Sequence, residues 1–243
     1  MTRIADPQDL VVRHDESGER LMHLQAAVDG FDVFARSLSI GAETLVIRFD
    51  PDRPMYDRYQ VSHDFLTPEL GAEVISIGKL INAFFRWEFN SCETLIKDGE
   101  VYPIDYANAA PDLALTSLHY YFPWAIKTLI KWSVFCTITD RRMRIDQDMD
   151  RYFKIGDDPE LSYEEKLERY HVIAEDYFET ERYNEFCAAH LPEIDEVTID
   201  YIGSPEFDAL LVDTVKTTFP AFEHDKFIDH YHGLLGAWVN DQP

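Results

Sequence analysis

The chain has 243 residues, 46% of them hydrophobic, which is enough to build one sizeable core or two modest domains. Its formal net charge of -24 repels phosphate backbones and anionic lipids, which argues against nucleic acid or membrane partners and permits basic proteins or cationic substrates. Cys92, Cys136 and Cys187 lack the spacing of zinc or redox sites, and the polar amino terminus has no signal-peptide core. We therefore expect reduced thiols and a cytoplasmic location.

The first regular element after a polar amino-terminal segment is a predicted β-hairpin over residues 33–50. Its arms, VFARSLSI and TLVIRFD, are rich in β-branched and aromatic residues and flank Gly41-Ala42-Glu43. The run DPDRP from Asp50 to Pro54 then ends the strand. Thr67-Pro68-Glu69 predicts the start of a helix that continues to Phe85 with apolar residues at helical spacing.

A second hairpin is predicted from Arg86 to Asp112, with its turn at Lys97-Asp98-Gly99. If the loop has three residues, Ile96 pairs with Glu100 and Glu93 with Pro103, so Glu93 and Asp105 share a face on the diagonal, whereas a two-residue loop would separate them. Two carboxylates and the amide of Asn108 suit a hard cation such as magnesium. The alternative is a hairpin with a solvated acidic face.

These residues resemble the metal-binding signature of the ATP-grasp superfamily. Glu93, Asp105 and Asn108 are similar to its first carboxylate and its later Glu-x-Asn, although Asp105-Tyr106-Ala107-Asn108 has one residue more. The segment IDYANAAPD also resembles an uncharacterised bacterial branch of that superfamily. The resemblance implies the carboxyl-terminal lobe of the fold, with ATP and Mg2+ as cofactors.

The upstream segment from His23 to Gly41 is similar to the stretch that crosses the adenine pocket of ATP-grasp enzymes. The resemblance implies that Gln25 lies beside the adenine, that Asp32 meets the ribose hydroxyls, and that Arg36 points at the phosphates or at an acyl phosphate. Each of these residues, taken alone, is also an ordinary surface residue of a soluble protein.

The rest of the chain is predicted to be helical. A buried helix starts near Pro123, where His119 is a candidate substrate contact, and Ser162, Ser204 and Pro220 mark later helix starts. Residues 145–243 carry 25 acidic and 7 basic side chains. We predict an α+β chain with a partial ATP-grasp-like lobe over residues 1–144 and an acidic helical appendage over 145–243.

Two functions remain open at this point. In the first, the resemblance implies a carboxylate-amine ligase that uses small-molecule carboxylate and amine substrates. Only 24 residues precede Gln25 and no glycine-rich phosphate loop is present, so we expect that the amino-terminal lobe is missing and that the chain is truncated. In the second, the chain is a non-catalytic scaffold or protein-binding module, with a protein partner or a second copy docking on it.

Overall fold

A computed structural model describes residues 3–146 and 148–242. The described residues divide into two compact units, with the boundary between Gly30 and Phe31. In the first unit, helix α1 (Pro7–Glu16) begins after Asp6, whose side chain accepts a hydrogen bond from the backbone N–H of Asp9. Proline in the first turn and this capping bond explain where the helix starts. The segment from Arg20 to Val28 has no regular secondary structure.

The second unit contains a five-stranded antiparallel sheet with the strand order β3-β2-β1-β4-β5. The strands are β1 (Val33–Ile40), β2 (Glu43–Phe49), β3 (Tyr59–Gln60), β4 (Phe89–Lys97) and β5 (Glu100–Asn108). Both predicted hairpins are confirmed, and the central pairing of β1 with β4 joins them into one sheet. This pairing brings residues of the first hairpin next to residues of the second.

Helix α2 (Pro68–Phe85) packs on one face of the sheet. Thr67 caps it as predicted, and Arg86 ends it in a left-handed conformation with φ of 61°. A Cβ atom at Gly78 would lie 3.2 Å from the Ser37 hydroxyl, so the helix approaches the strand β1 closely at this position. Side chains alternate along a strand, and Arg36 and Leu38 therefore project from the other face.

The remaining helices cover the sheet and one another. They are α3 (Leu115–Leu118), α4 (Phe122–Ile138), α5 (Asp150–Gly156), α6 (Tyr163–Phe178), α7 (Thr180–His190), α8 (Ile194–Ile202), α9 (Pro205–Thr218) and α10 (His224–Asn240). The predicted capping box of Ser162 and Glu165 is present at the start of α6, and Ser204 caps α9. The chain is therefore α+β, as the sequence predicts.

One hydrophobic cluster joins the sheet to helices on both sides of position 144. It includes Leu38 and Ile40 of β1, Trp132 of α4 and Tyr177 of α6. Buried polar contacts link the same parts, because Arg141 pairs with Glu88 at 3.0 Å and donates to the Tyr177 carbonyl at 2.9 Å. The helices after residue 145 thus share a core with the sheet in the unit that begins at Phe31.

Candidate functional site

The turn between β4 and β5 has two residues, so the predicted three-residue loop is wrong. Lys97 pairs with Glu100 and Ile96 with Val101, which leaves Asp98 and Gly99 as the turn. Their φ angles are 53° and 81°, the pair of positive values that a type I′ turn requires. An uninterrupted ladder from this turn would place Glu93 and Asp105 on opposite faces.

A bulge restores the predicted side-by-side arrangement of the two carboxylates. Thr94 pairs with Pro103 while Glu93 pairs with Asp105, so β5 has one additional residue, Ile104, between these two rungs. Glu93 and Asp105 are therefore direct cross-strand partners, closer than the predicted diagonal. Side chains of such partners lie on the same face with Cβ atoms about 4.5 to 5.5 Å apart.

A second register shift brings Asn108 to the same place. Ser91 pairs with Asn108. From this rung to the Glu93–Asp105 rung, the chain advances by three residues on β5 but by only two on β4. The Asn108 amide Nδ2 donates to the Ser91 hydroxyl at 2.9 Å. The one extra residue in Asp105-Tyr106-Ala107-Asn108 is thus taken up by the irregular register.

Asn90 holds this irregular part of the hairpin in place. Its Nδ2 donates to the Tyr106 carbonyl at 3.1 Å, and its Oδ1 accepts from the backbone N–H of Asn108 at 3.1 Å. The Asn90 side chain is 1% exposed, so its end of each bond is shielded from water. A side chain thereby replaces the ladder bonds that the bulge disrupts. Sequence analysis missed Asn90, because its partners are backbone groups on another strand.

Arg36 lies beside the carboxylates, because β1 pairs with β4 so that Arg36 is opposite Glu93. The guanidinium approaches Glu93 Oε1 at 3.6 Å and donates to the Ser91 hydroxyl at 3.2 Å. It also lies over the rings of Phe49 and Tyr59, at 5.5 and 5.6 Å from their centroids. Within the described residues, its buried Nε has no hydrogen-bond partner.

The charges of this face act on one another. Burial raises the pKa of Glu93, Arg36 opposes that rise, and Asp105 adds to it. Burial also raises the pKa of Tyr59, where Arg36 again opposes the rise, whereas Asp112 and Glu93 add to it. A positive charge near these two groups therefore favours the ionised form of each. Arg36 supplies such a charge in this structure.

The donor set fits a hard divalent cation. It offers two carboxylates and, with Nδ2 of Asn108 donating to Ser91, the amide Oδ1, and such oxygens are the ligands that magnesium prefers. Within residues 3–146 and 148–242, no group of three or more His, Cys, Asp or Glu side chains is arranged to hold a metal ion. Since magnesium takes about six oxygen ligands, these three side chains alone would not fill its shell.

The two residues predicted to contact the nucleoside have other surroundings. The Asp32 carboxylate accepts a hydrogen bond from the backbone N–H of Asp98 at 2.9 Å, so it caps the β4–β5 turn. Gln25 is exposed and lies in the irregular segment of the first unit. Their roles in nucleotide binding, like the role of Arg36 at the phosphates, stay predictions.

His119, the candidate substrate contact, is 1% exposed. Its Nδ1 accepts from the backbone N–H of Tyr120 at 2.8 Å, and its ring lies 6.4 Å from that of Tyr59. Burial, with a smaller effect from His230, lowers the pKa of His119 to about 4. The structure thus makes it a neutral core residue behind Tyr59 at neutral pH.

Across the described part of the chain, no helix is both long and apolar enough to cross a membrane. Comparisons of this chain with protein-family models, curated proteins and solved structures found no match. The geometry around Glu93 and Asp105 is therefore the basis on which a function can be proposed.

Proposed function

We propose that this chain carries the magnesium- and nucleotide-binding sheet of an ATP-grasp-type carboxylate-amine ligase. The observation that supports this most is the register of β4 and β5, which sets Glu93 directly opposite Asp105 and aligns Asn108 with Ser91. A solvated acidic hairpin needs neither a bulge nor a buried side chain, such as Asn90, that holds the bulge in place. Here Asn90 and two register shifts are used to bring three oxygen-bearing side chains together.

The order of elements gives a second line of support. A hairpin, a helix and a second hairpin form one antiparallel sheet in which β1 and β4 are neighbours. This is the order that the ATP-grasp carboxyl-terminal lobe would have, although many α+β proteins share it. The extra residue before Asn108, which departs from the superfamily's Glu-x-Asn, is accommodated by the bulged register and so does not count against the proposal.

In the proposed reaction, Glu93, Asp105 and Asn108 would hold magnesium, which when bound offsets the negative charge of the nucleotide phosphates. Arg36 would donate to phosphate oxygens through its planar guanidinium, from a position fixed by Phe49 and Tyr59. A substrate carboxylate oxygen would attack the γ-phosphorus with ADP leaving. An amine nitrogen would then attack the acyl carbon with phosphate leaving. The protein would contribute mainly orientation and electrostatic stabilisation.

A second candidate function is a non-catalytic module that binds an apolar segment of a partner protein. One observation favours it, an apolar groove of about 580 Å³ lined by α2, β5, α5 and α6. Phe85, Tyr106, Phe153 and Tyr163 in this groove are between 39% and 55% exposed. Contiguous exposed aromatic residues are common at protein-binding surfaces. Metal binding at Glu93 and Asp105 distinguishes the two candidates.

The proposal is tested by titrating the protein with Mn2+, a spectroscopic substitute for magnesium, by calorimetry and electron paramagnetic resonance. We expect one site, and we expect Glu93→Gln and Asp105→Asn each to weaken it about tenfold or more, because each removes a charge within a few ångströms of a divalent ion. Glu100→Gln is the matched control. It removes an exposed carboxylate from the same hairpin, at the rung of Lys97.

If Glu93→Gln and Asp105→Asn both bind Mn2+ with the same affinity as the wild-type protein, the proposed site is refuted. Absence of any Mn2+ binding by the wild-type protein would refute it as well. Magnesium-dependent ATP binding, measured in parallel, extends the test from the ion to the nucleotide.

A further inference from the structure

The positive charge of Arg36 lies beside one of the two proposed metal-binding carboxylates. Arg36 is the cross-strand partner of Glu93, and its guanidinium lies 3.6 Å from the carboxylate that would bind the ion. We propose that Arg36 is a built-in placeholder cation, which neutralises Glu93 in the metal-free protein and turns to the phosphates when metal and nucleotide bind. Arg36 thereby couples metal binding to anion binding. This inference rests on the proposed function of the same site.

The contacts of Arg36 fit a group that can exchange partners. At 3.6 Å, the approach to Glu93 is an ion pair without a hydrogen bond of normal length. The bond to the Ser91 hydroxyl, at 3.2 Å, is near the long end of the usual range. Its Nε is buried and has no partner among the described residues. The guanidinium therefore has donor capacity that this metal-free arrangement does not use.

The charged head of Arg36 lies over two aromatic rings. Phe49 of β2 and Tyr59 of β3, the next strand beyond it, place their rings 5.5 and 5.6 Å from the guanidinium, and the whole side chain is only 19% exposed. A planar cation between aromatic rings can rotate in its own plane at little cost, because ring contacts do not depend on which N–H points where. The rings thus keep Arg36 at the site while its donors change direction.

Ser91 links the placeholder to the metal ligands. Its hydroxyl accepts from Arg36 at 3.2 Å and from the Asn108 amide at 2.9 Å, so the three side chains meet at one oxygen. A hydroxyl oxygen has two acceptor lone pairs, and both are used here. Movement of Arg36 away from Glu93 therefore changes the surroundings of Asn108 in the same step.

Charge repulsion makes the exchange necessary. Glu93 and Asp105 are direct partners, and one positive charge already lies beside them. A divalent ion bound to the same carboxylates would lie roughly 5 Å from the guanidinium, where Coulomb repulsion corresponds to about tenfold in affinity even at the dielectric constant of water. Metal alone should therefore bind weakly, and a polyphosphate that accepts the Arg36 donors should relieve the repulsion.

The test compares wild type with Arg36→Met for two probes, Mn2+ alone and the Mn2+ complex of a non-hydrolysable ATP analogue. We expect Arg36→Met to bind Mn2+ alone about tenfold more tightly than wild type, because the competing charge is gone. We expect it to bind the metal–nucleotide complex about tenfold more weakly, because a charge-assisted phosphate contact is lost. Opposite changes for the two probes are the signature of a coupling residue.

Arg48→Met is the matched control, since Arg48 is an exposed arginine on β2 whose cross-strand partner is Ala35, on the other face of the sheet. It should leave both affinities within about twofold of wild type. Arg36→Lys, which keeps the charge and the packing of the stem, should retain weak binding of Mn2+ alone. Arg36→Gln, a second neutral variant, should also bind Mn2+ alone about tenfold more tightly than wild type, and it keeps the test decisive if Arg36→Met does not fold cooperatively.

A purely structural role for Arg36 would weaken both probes together in Arg36→Met and would overturn the inference. Unchanged affinity for Mn2+ alone would overturn it too, even where the metal–nucleotide complex binds more weakly. These failures differ from failure of the proposed function, in which wild type would bind neither probe.

Discussion

Asn90 gives the sharpest test of how the hairpin builds its site, because the chain provides a matched control. Asn90 and Asn82 are both 1% exposed. Asn90 makes two hydrogen bonds to the β5 backbone, whereas the described residues offer no partner to either polar atom of the Asn82 side chain. Substitution of each by alanine removes the same atoms from a buried position.

The difference in stability between Asn90→Ala and Asn82→Ala measures the contribution of the two Asn90 hydrogen bonds. Asn90→Ala leaves the Tyr106 carbonyl and the Asn108 N–H, both part-buried, without their Asn90 partners, and each such loss costs about 1 to 2 kcal/mol. Asn82→Ala loses no such bond and gains about 0.6 kcal/mol of helix propensity in α2. We therefore expect Asn90→Ala to lower the free energy of unfolding by about 2 to 4 kcal/mol more than Asn82→Ala does.

Urea denaturation followed by circular dichroism measures this difference, and amide hydrogen exchange locates it. In Asn90→Ala, the Asn108 amide should exchange much faster, while amides of β1 and β2 keep their order of protection. Asn90→Ala should also bind Mn2+ more weakly than the wild-type protein, because the position of Asn108 is no longer fixed. Equal destabilisation by the two alanine substitutions would show that the Asn90 bonds do not hold the bulge.

Two further predictions concern other parts of the unit that begins at Phe31. Gly41→Ala should lower the free energy of unfolding by roughly 2 to 4 kcal/mol in urea denaturation, because φ at this position is +56° and the new Cβ would lie 2.0 Å from the Trp132 ring. Gly99 also has a positive φ, but the space around it is open, so Gly99→Ala should lower the free energy of unfolding by only about 1 kcal/mol. The pKa of His119 is lowered to about 4 by burial, so the unfolded state alone takes up this proton between pH 6.5 and 4, and stability falls as pH falls through that window. His119→Asn should remove up to about 3 kcal/mol of that pH dependence in denaturation series, and an unchanged pH profile would contradict this account.

Local signals in the sequence were sufficient to predict several helices and both hairpins. Thr67 with Pro68, and Ser162 with Glu165, satisfy backbone groups within the same turn, so their effect can be recognised in a few consecutive residues. Local signals did not determine the length of the β4–β5 turn. Gly99 has a positive φ in both a three-residue bulged turn and a two-residue type I′ turn, so its presence does not distinguish them.

The candidate site depends on contacts that are distant in sequence. Arg36 meets Glu93 only because β1 and β4 pair across the intervening helix α2, and no spacing between the two residues predicts that pairing. Glu93 and Asp105 lie on the same face of the sheet only because of the bulge at Ile104, and the sequence at Ile104 contains no recognisable bulge signal. The prediction that these carboxylates share a face was confirmed although the loop length on which it relied was wrong.

The two register shifts are the observation that most supports the proposed cation site. A regular ladder from the Asp98–Gly99 turn would pair Asp105 with Cys92 and put it on the α2 face, away from Glu93 and Arg36. The bulge at Ile104 turns Asp105 to the face of Arg36, and the second shift, held by Asn90, then aligns Asn108 with Ser91. Each irregularity disrupts the ladder, and together they place Asp105 opposite Glu93 and Asn108 opposite Ser91. A strand that is irregular at two places, with both serving one cluster, is the expected result if the cluster binds a cation, because an ion requires ligands at defined positions and a solvated surface does not.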